Sequence, residues 1–67
     1  MIVYDGFWKM LEARGETTYS MIKNHGISSS TISSLKNNRP VRTVTLDKLC
    51  RILKCNVDDL IEYIPDK

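Results

Sequence analysis

The feature that most narrows the folds open to this chain is a three-residue break, Gly26-Ile27-Ser28, between two segments of helical pattern. Before the break, residues 18–25 are predicted as a helix with Met21 and Ile22 facing inward. Thr17 is its expected cap, because a hydroxyl oxygen there accepts a backbone N–H that has no partner within the helix. Gly26 follows at once, where a turn needs the positive φ that other residues resist. After the break, Ser28 is the expected cap of a helix over residues 29–37, with Ile32 and Leu35 as its buried pair. So short a connection forces the two helices to cross steeply, and Met21, Ile27, Ile32 and Leu35 then pack into one wedge.

The remaining segments read as helices that complete a small core. Residues 5–14 are predicted helical, with Asp5 as N-cap, Phe7, Trp8, Met10 and Leu11 as an apolar stripe, and Gly15 as the stop. Residues 44–53 follow, capped by Thr43 or Thr45, with Leu46, Leu49, Cys50 and Leu53 recurring at i, i+3, i+4 and i+7. Residues 57–63 form the predicted fifth helix. Asn56 is its cap, Asp58 and Asp59 lie in its positive first turn, and Val57, Leu60, Ile61 and Ile64 form its inner stripe up to Pro65. Residues 1–4 are β-prone and suit a short extended edge segment. The expected architecture is all-α: a compact five-helix bundle forming one domain over residues 1–67.

Length and composition exclude whole classes of function. At 67 residues the chain is too short for a barrel or a doubly wound sheet. Its apolar runs are too short to span a membrane, and its first residues lack the pattern of a secretory signal. With that context, Cys50 and Cys55 are expected as free thiols in a reducing cytoplasm, more in keeping with core packing than with metal or redox use. Their spacing is not that of a zinc site, and His25 is the only histidine, expected to satisfy carbonyls at a helix end. Nothing resembles a catalytic triad, a phosphate loop or paired catalytic carboxylates, so the chain is not expected to be an enzyme, nor to take a cofactor or small-molecule ligand.

Charge is distributed unevenly along the sequence. Residues 17–46 carry Lys23, Lys36, Arg39 and Arg42 and no Asp or Glu, whereas all eight acids lie outside that block. The block is therefore +4. Residues 1–16 (two bases, three acids) and residues 47–67 (four bases, five acids) are each −1. Such a pattern draws a polyanion to the middle of the chain. Within that block, the outer face of the 29–37 helix is small, uncharged and rich in hydroxyls. A DNA major groove admits one helix whose side chains do not repel phosphate, and hydroxyls bond several base edges.

The stretch TTYSMIKNHGISSSTISSLKNN and the tail TLDKLCRILKCNVDDLIEYIP resemble the Cro/CI-type helix-turn-helix family, also called the Xre family, over about residues 5–64. The carriers are Thr17, Gly26, Ile32, Leu35 and the leucine-rich tail. The resemblance implies a lambda-repressor-like bundle whose third helix lies in the major groove of double-stranded DNA. By position it assigns Ser29, Ser30 and Ser34 to base edges, with Ser33 sharing that face. Thr18 and Ser28 fall to phosphate, and Asn37, Arg39 and Arg42 to phosphate or the neighbouring minor groove. Lys36 joins the phosphate contacts. Two features depart from the family pattern. Serines stand where glutamine, asparagine or arginine is common, which implies weak direct base discrimination. Ile22 stands at an inward position commonly held by alanine, which either widens the helix crossing or marks a subfamily.

Two functions of different class follow. The first is a sequence-preferring transcriptional regulator, a small repressor of bacterial, phage or mobile-element origin. It would act as a homodimer on a palindrome, with Tyr63 and Ile64 as a candidate seam. The second is a protein-interaction module of the same fold that sequesters another regulator without reading DNA.

Overall fold

The structure is a computed structural model, and it describes residues 1–66. Among these residues it contains four α-helices and a two-stranded antiparallel sheet. In chain order they are β1 (Ile2–Val3), α1 (Asp5–Ala13), α2 (Thr18–His25), α3 (Ser29–Lys36), α4 (Thr43–Leu53), a 3-10 turn (Val57–Asp59) and β2 (Glu62–Tyr63). Ile2 stands opposite Tyr63, and Val3 opposite Glu62.

One core ties the helices together. Phe7 and Leu11 from α1, Met21 from α2, Ile27 from the turn, Leu35 from α3, Leu49 and Leu53 from α4, and Leu60 are all buried, with Tyr4 beside them. Ile32, Leu46 and Cys50 pack partly buried against this cluster. Trp8 meets the Phe7 ring edge-on, with centroids 4.9 Å apart, so it serves packing.

Helix ends follow local chemistry. Thr17 and Ser20 form a reciprocal cap on α2: Ser20 N–H donates to Thr17 Oγ1 at 3.1 Å, and Thr17 N–H donates to Ser20 Oγ at 2.9 Å. Ser28 Oγ accepts Thr31 N–H at 3.2 Å and so caps α3. At the C-terminal ends of α3 and α4, Asn38 and Lys54 adopt left-handed φ values of 54° and 53°. Each lets the next residue's N–H return to a helix carbonyl, Arg39 to Ser34 at 2.9 Å and Cys55 to Cys50 at 3.1 Å.

Several sequence expectations are corrected. The fifth helix over residues 57–63 does not form, so the bundle has four helices. The bond that would have carried it, from Ile64 N–H to the Leu60 carbonyl, is replaced at both ends. Leu60 C=O instead accepts Phe7 N–H at 3.0 Å, and Ile64 N–H donates to Met1 C=O at 2.8 Å. Tertiary bonds therefore unwind the segment after one turn, and its β-branched and aromatic residues pair with β1. Val57 and Ile64, expected on an inner stripe, are exposed. Asp5 is not the N-cap of α1: Tyr4 holds that position without a side-chain bond to the helix N–H groups, and Asp5 lies in the first turn. Neither Thr43 nor Thr45 caps α4. Arg42 holds that position, and its carbonyl accepts Thr45 N–H and Leu46 N–H. Ile22 does not enter the α2–α3 contact. It is 41% exposed, so the crossing is not wedged apart by its bulk.

The approach of α1 to the 3-10 turn requires a glycine. A Cβ built on Gly6 would lie 2.2 Å from the Asp59 carbonyl oxygen, which is main chain and has nowhere to go. Glycine to alanine inside a helix ordinarily stabilises by about 0.5–1 kcal/mol. Here Gly6→Ala is expected to destabilise by at least about 1–3 kcal/mol through overpacking, seen as a lower urea midpoint. A raised midpoint would contradict the packing. Lys54→Gly is expected to do the reverse, gaining about 1 kcal/mol by relieving left-handed strain, read as a higher midpoint at unchanged slope.

Candidate nucleic-acid interface

The placement of α3 is set by the turn before it. Gly26 adopts φ 70°, and both its N–H and that of Ile27 donate to the Met21 carbonyl, the latter at 3.1 Å. This folds the chain sharply and drives the Ile27 side chain into the core, where it is 4% exposed. Leu35 is buried one face away from the serines. The consequence is that α3 is anchored by its apolar side. Ser29 and Ser30 are exposed, and Ser33 and Ser34 are half-buried on its flanks.

Hydroxyls at the start of α3 are linked to one another. Ser28 Oγ lies 3.0 Å from Ser30 Oγ and 2.9 Å from Thr31 Oγ1. At the other end, Asn37 Nδ2 donates to the Ser33 carbonyl at 2.9 Å, so the Asn37 amide is folded back along the helix. Ser28 and Asn37, both predicted site residues, thus spend polar atoms on α3 itself. Lys36 is exposed in the last turn.

The loop between α3 and α4 carries the two arginines. Arg39 is held by its main chain from two sides: its N–H bonds Ser34, and its carbonyl accepts the buried Tyr4 hydroxyl at 2.6 Å. Arg42 lies across a cleft of about 160 Å³ whose other wall is Ser30, Thr31 and Ser34, with Thr45 at its edge. The structure thereby brings together Ser30, Ser34 and Arg42, three of the predicted residues, from α3 and from the loop after it. Arg39 faces a separate apolar groove beside Ile2 and Pro40. Thr18, half-buried at the start of α2, does not line the cleft.

The first turns of the helices differ in their acid content. The first turns of α2, α3 and α4 contain no acid, whereas that of α1 contains Asp5. Helix N-termini carry partial positive charge and free N–H groups, so acid-free ones are compatible with phosphate. Glu16 lies one residue outside the acid-free block. Its carboxylate accepts the Ser20 hydroxyl at 2.6 Å and faces His25 Nε2 at 3.6 Å. His25 therefore meets a carboxylate rather than the helix-end carbonyls expected for it, which the Gly26 and Ile27 N–H groups approach instead.

Sequence reasoning passed over three contributors. Thr45 and Thr31 complete the cleft walls. Lys48 places its ammonium beside the α2–α3 turn, 3.7 Å from where a Cβ on Gly26 would stand. The helical interval from Thr45 to Lys48 was the available signal. Tyr19, 68% exposed, accepts a hydrogen bond from Lys23 Nζ at 3.1 Å, and the ammonium also lies 5.4 Å from its ring centroid. Among the described residues no cluster of three or more His, Cys, Asp or Glu side chains is placed to hold a metal, and no helix is long and apolar enough to cross a membrane.

Comparisons with known proteins bear on the family and the fold. A family model described as the Cro/C1-type HTH DNA-binding domain matches residues 7–66. The uncharacterized HTH-type transcriptional regulator YozG of Bacillus subtilis (strain 168) is 32% identical over 60 residues, covering 87% of this chain and 71% of its own. The crystal structure of the transcriptional regulator VanUg, form II, aligns with a TM-score of 0.86 at 31% identity, over 97% of this chain and 87% of that one. With a family match running from α1 through β2, the chain belongs to the Cro/C1-type HTH DNA-binding domain family.

Proposed function

We propose that residues 1–67 act as one unit, a sequence-preferring repressor of transcription that inserts α3 into the major groove of double-stranded DNA. The observation that carries this reading is the juxtaposition of the acid-free hydroxyl face of α3 with Arg42 across one cleft. Ser29, Ser30, Ser33 and Ser34 approach base edges. Thr18 and Ser28 lie at the starts of α2 and α3, where backbone N–H groups and short side chains reach phosphate oxygens. Lys36, Asn37, Arg39 and Arg42 extend the contact along the backbone or into the neighbouring minor groove.

Serine hydroxyls discriminate among bases less sharply than bidentate arginine or asparagine. Phosphate contacts then supply most of the affinity, and the shape and deformability of the duplex supply much of the preference. An eight-residue helix with so few base contacts binds weakly alone. Two copies on half-sites one helical turn apart bind usefully. Tyr63 and Ile64, exposed next to Met1 and Ile2, supply an apolar surface for that pairing. The relative in Bacillus subtilis supports a bacterial origin, and a regulator that meets DNA in such a cell acts in the cytoplasm.

The test is titration of duplex DNA at several salt concentrations. With about six phosphates neutralised, log affinity is expected to fall against log salt with a slope of about −5. Arg39→Ala and Arg42→Ala should each weaken binding and reduce the slope by about one. Ser34→Ala should alter sequence preference while leaving the slope unchanged. Absence of binding at low salt would overturn the reading and favour the interaction module, whose activity would survive reversal of both arginine charges.

A further inference from the structure

The two cysteines meet at the C-terminal cap of α4, away from the serine face. Lys54 stands in the left-handed position of that cap, and Cys55 N–H donates to the Cys50 carbonyl at 3.1 Å. In this cap geometry the two residues so bonded frequently bring their side chains together, and here the Cys55 thiol lies within hydrogen-bonding reach of the Cys50 thiol. Both thiols are free and half-buried, which leaves them reachable from solvent. They line a shallow polar cleft of about 480 Å³ together with Arg14, Arg51, Lys54 and Asp59.

The cleft is weighted toward positive charge. Arg14 donates only to main-chain carbonyls, Leu53 at 2.8 Å and Lys54 at 3.2 Å, so its charge has no carboxylate partner among the described residues. Arg51 is paired with Asp47 on the adjoining turn. The cleft thus attracts small anions, and it holds two thiols within it. We propose that Cys50 and Cys55 form a reversible dithiol–disulfide site that exchanges with an anionic, low-molecular-weight disulfide.

The exchange balances without any further oxidant. A Cys50 thiolate attacks one sulfur of the small disulfide, forming a mixed disulfide and expelling one thiolate. The Cys55 thiol then loses its proton and attacks the Cys50 sulfur, which expels the second small thiolate and closes the internal bond. Two protein thiols are oxidised by two electrons, and one small disulfide is reduced to two thiols. Burial pushes the Cys55 thiol up, reinforced by the Cys50 thiol and the Asp59 carboxylate and opposed by Arg14. The first attack is assigned to Cys50 because Cys55 forms its thiolate less readily than an unburied thiol does. The closed form staples the end of α4 to the segment entering the 3-10 turn, across the residue whose φ is strained.

The test is incubation of the full chain with oxidised glutathione, followed by mass analysis. The monomer is expected to lose two hydrogen atoms and to retain no glutathione. Trypsin cleaves after Lys48, Arg51 and Lys54, which puts Cys50 and Cys55 on separate peptides. Those peptides should stay joined until a reductant is added. Cys55→Ser is expected to accumulate one glutathionyl group on Cys50, faster than Cys50→Ser gains one on Cys55. Stable glutathionylation of both wild-type cysteines, cross-linking only between chains, or no reaction would overturn the proposal, and each of these is read on the wild-type protein whether or not the variants fold.

Discussion

The left-handed backbone at Gly26 is the constraint on which the rest of the molecule depends. It lets two successive N–H groups return to the Met21 carbonyl, and so reverses the chain within three residues. That reversal puts Ile27 into the core and fixes which side of α3 is buried. A helix of only eight residues, half of them serine, has little intrinsic stability. Its position comes from Ile27, Ile32 and Leu35 and from the Ser28 cap. The same apolar side that holds α3 leaves its hydroxyls outward. Stability and the outward placement of the serine side thus share one origin.

A second constraint acts at the opposite end of the core. The N-terminal turn of α1 approaches the main chain around Asp59 and Leu60 closely enough to need glycine at position 6. Phe7 N–H takes the carbonyl that a fifth helix would have used. The first and last segments then pair as strands, and Tyr4 is carried inward to bond Arg39. In this way a contact between the first and last described segments reaches the loop that carries both arginines.

These details explain what was legible in the sequence. Helices α2 and α3, both of their caps and the Gly26 turn were readable because each rests on neighbouring residues: hydroxyls before apolar periodicity, glycine at a left-handed position. The acid-free first turns were readable from charge order alone. The fifth helix was misread because residues 57–63 carry a sound helical stripe, and what unwinds them is a carbonyl claimed from more than fifty residues away. The cap of α4 was misread for a related reason, since two threonines were plausible and Arg42 holds the position through its main chain. Within the site, the serines and arginines were named from position. The cleft that joins Ser34 to Arg42, and the reach of Lys48 to the turn, arise only from tertiary packing.

The central claim is that the hydroxyl side of α3 and the loop after it form the surface that meets DNA. Amide chemical shifts of the nitrogen-15-labelled chain, followed while a duplex is added at low salt, test it most directly. With a duplex long enough for only one copy, the account predicts the largest shifts at residues 28–34 and 39–45, with little change at residues 1–4 and 60–64. Shifts confined to the paired strands, with α3 undisturbed, would contradict it.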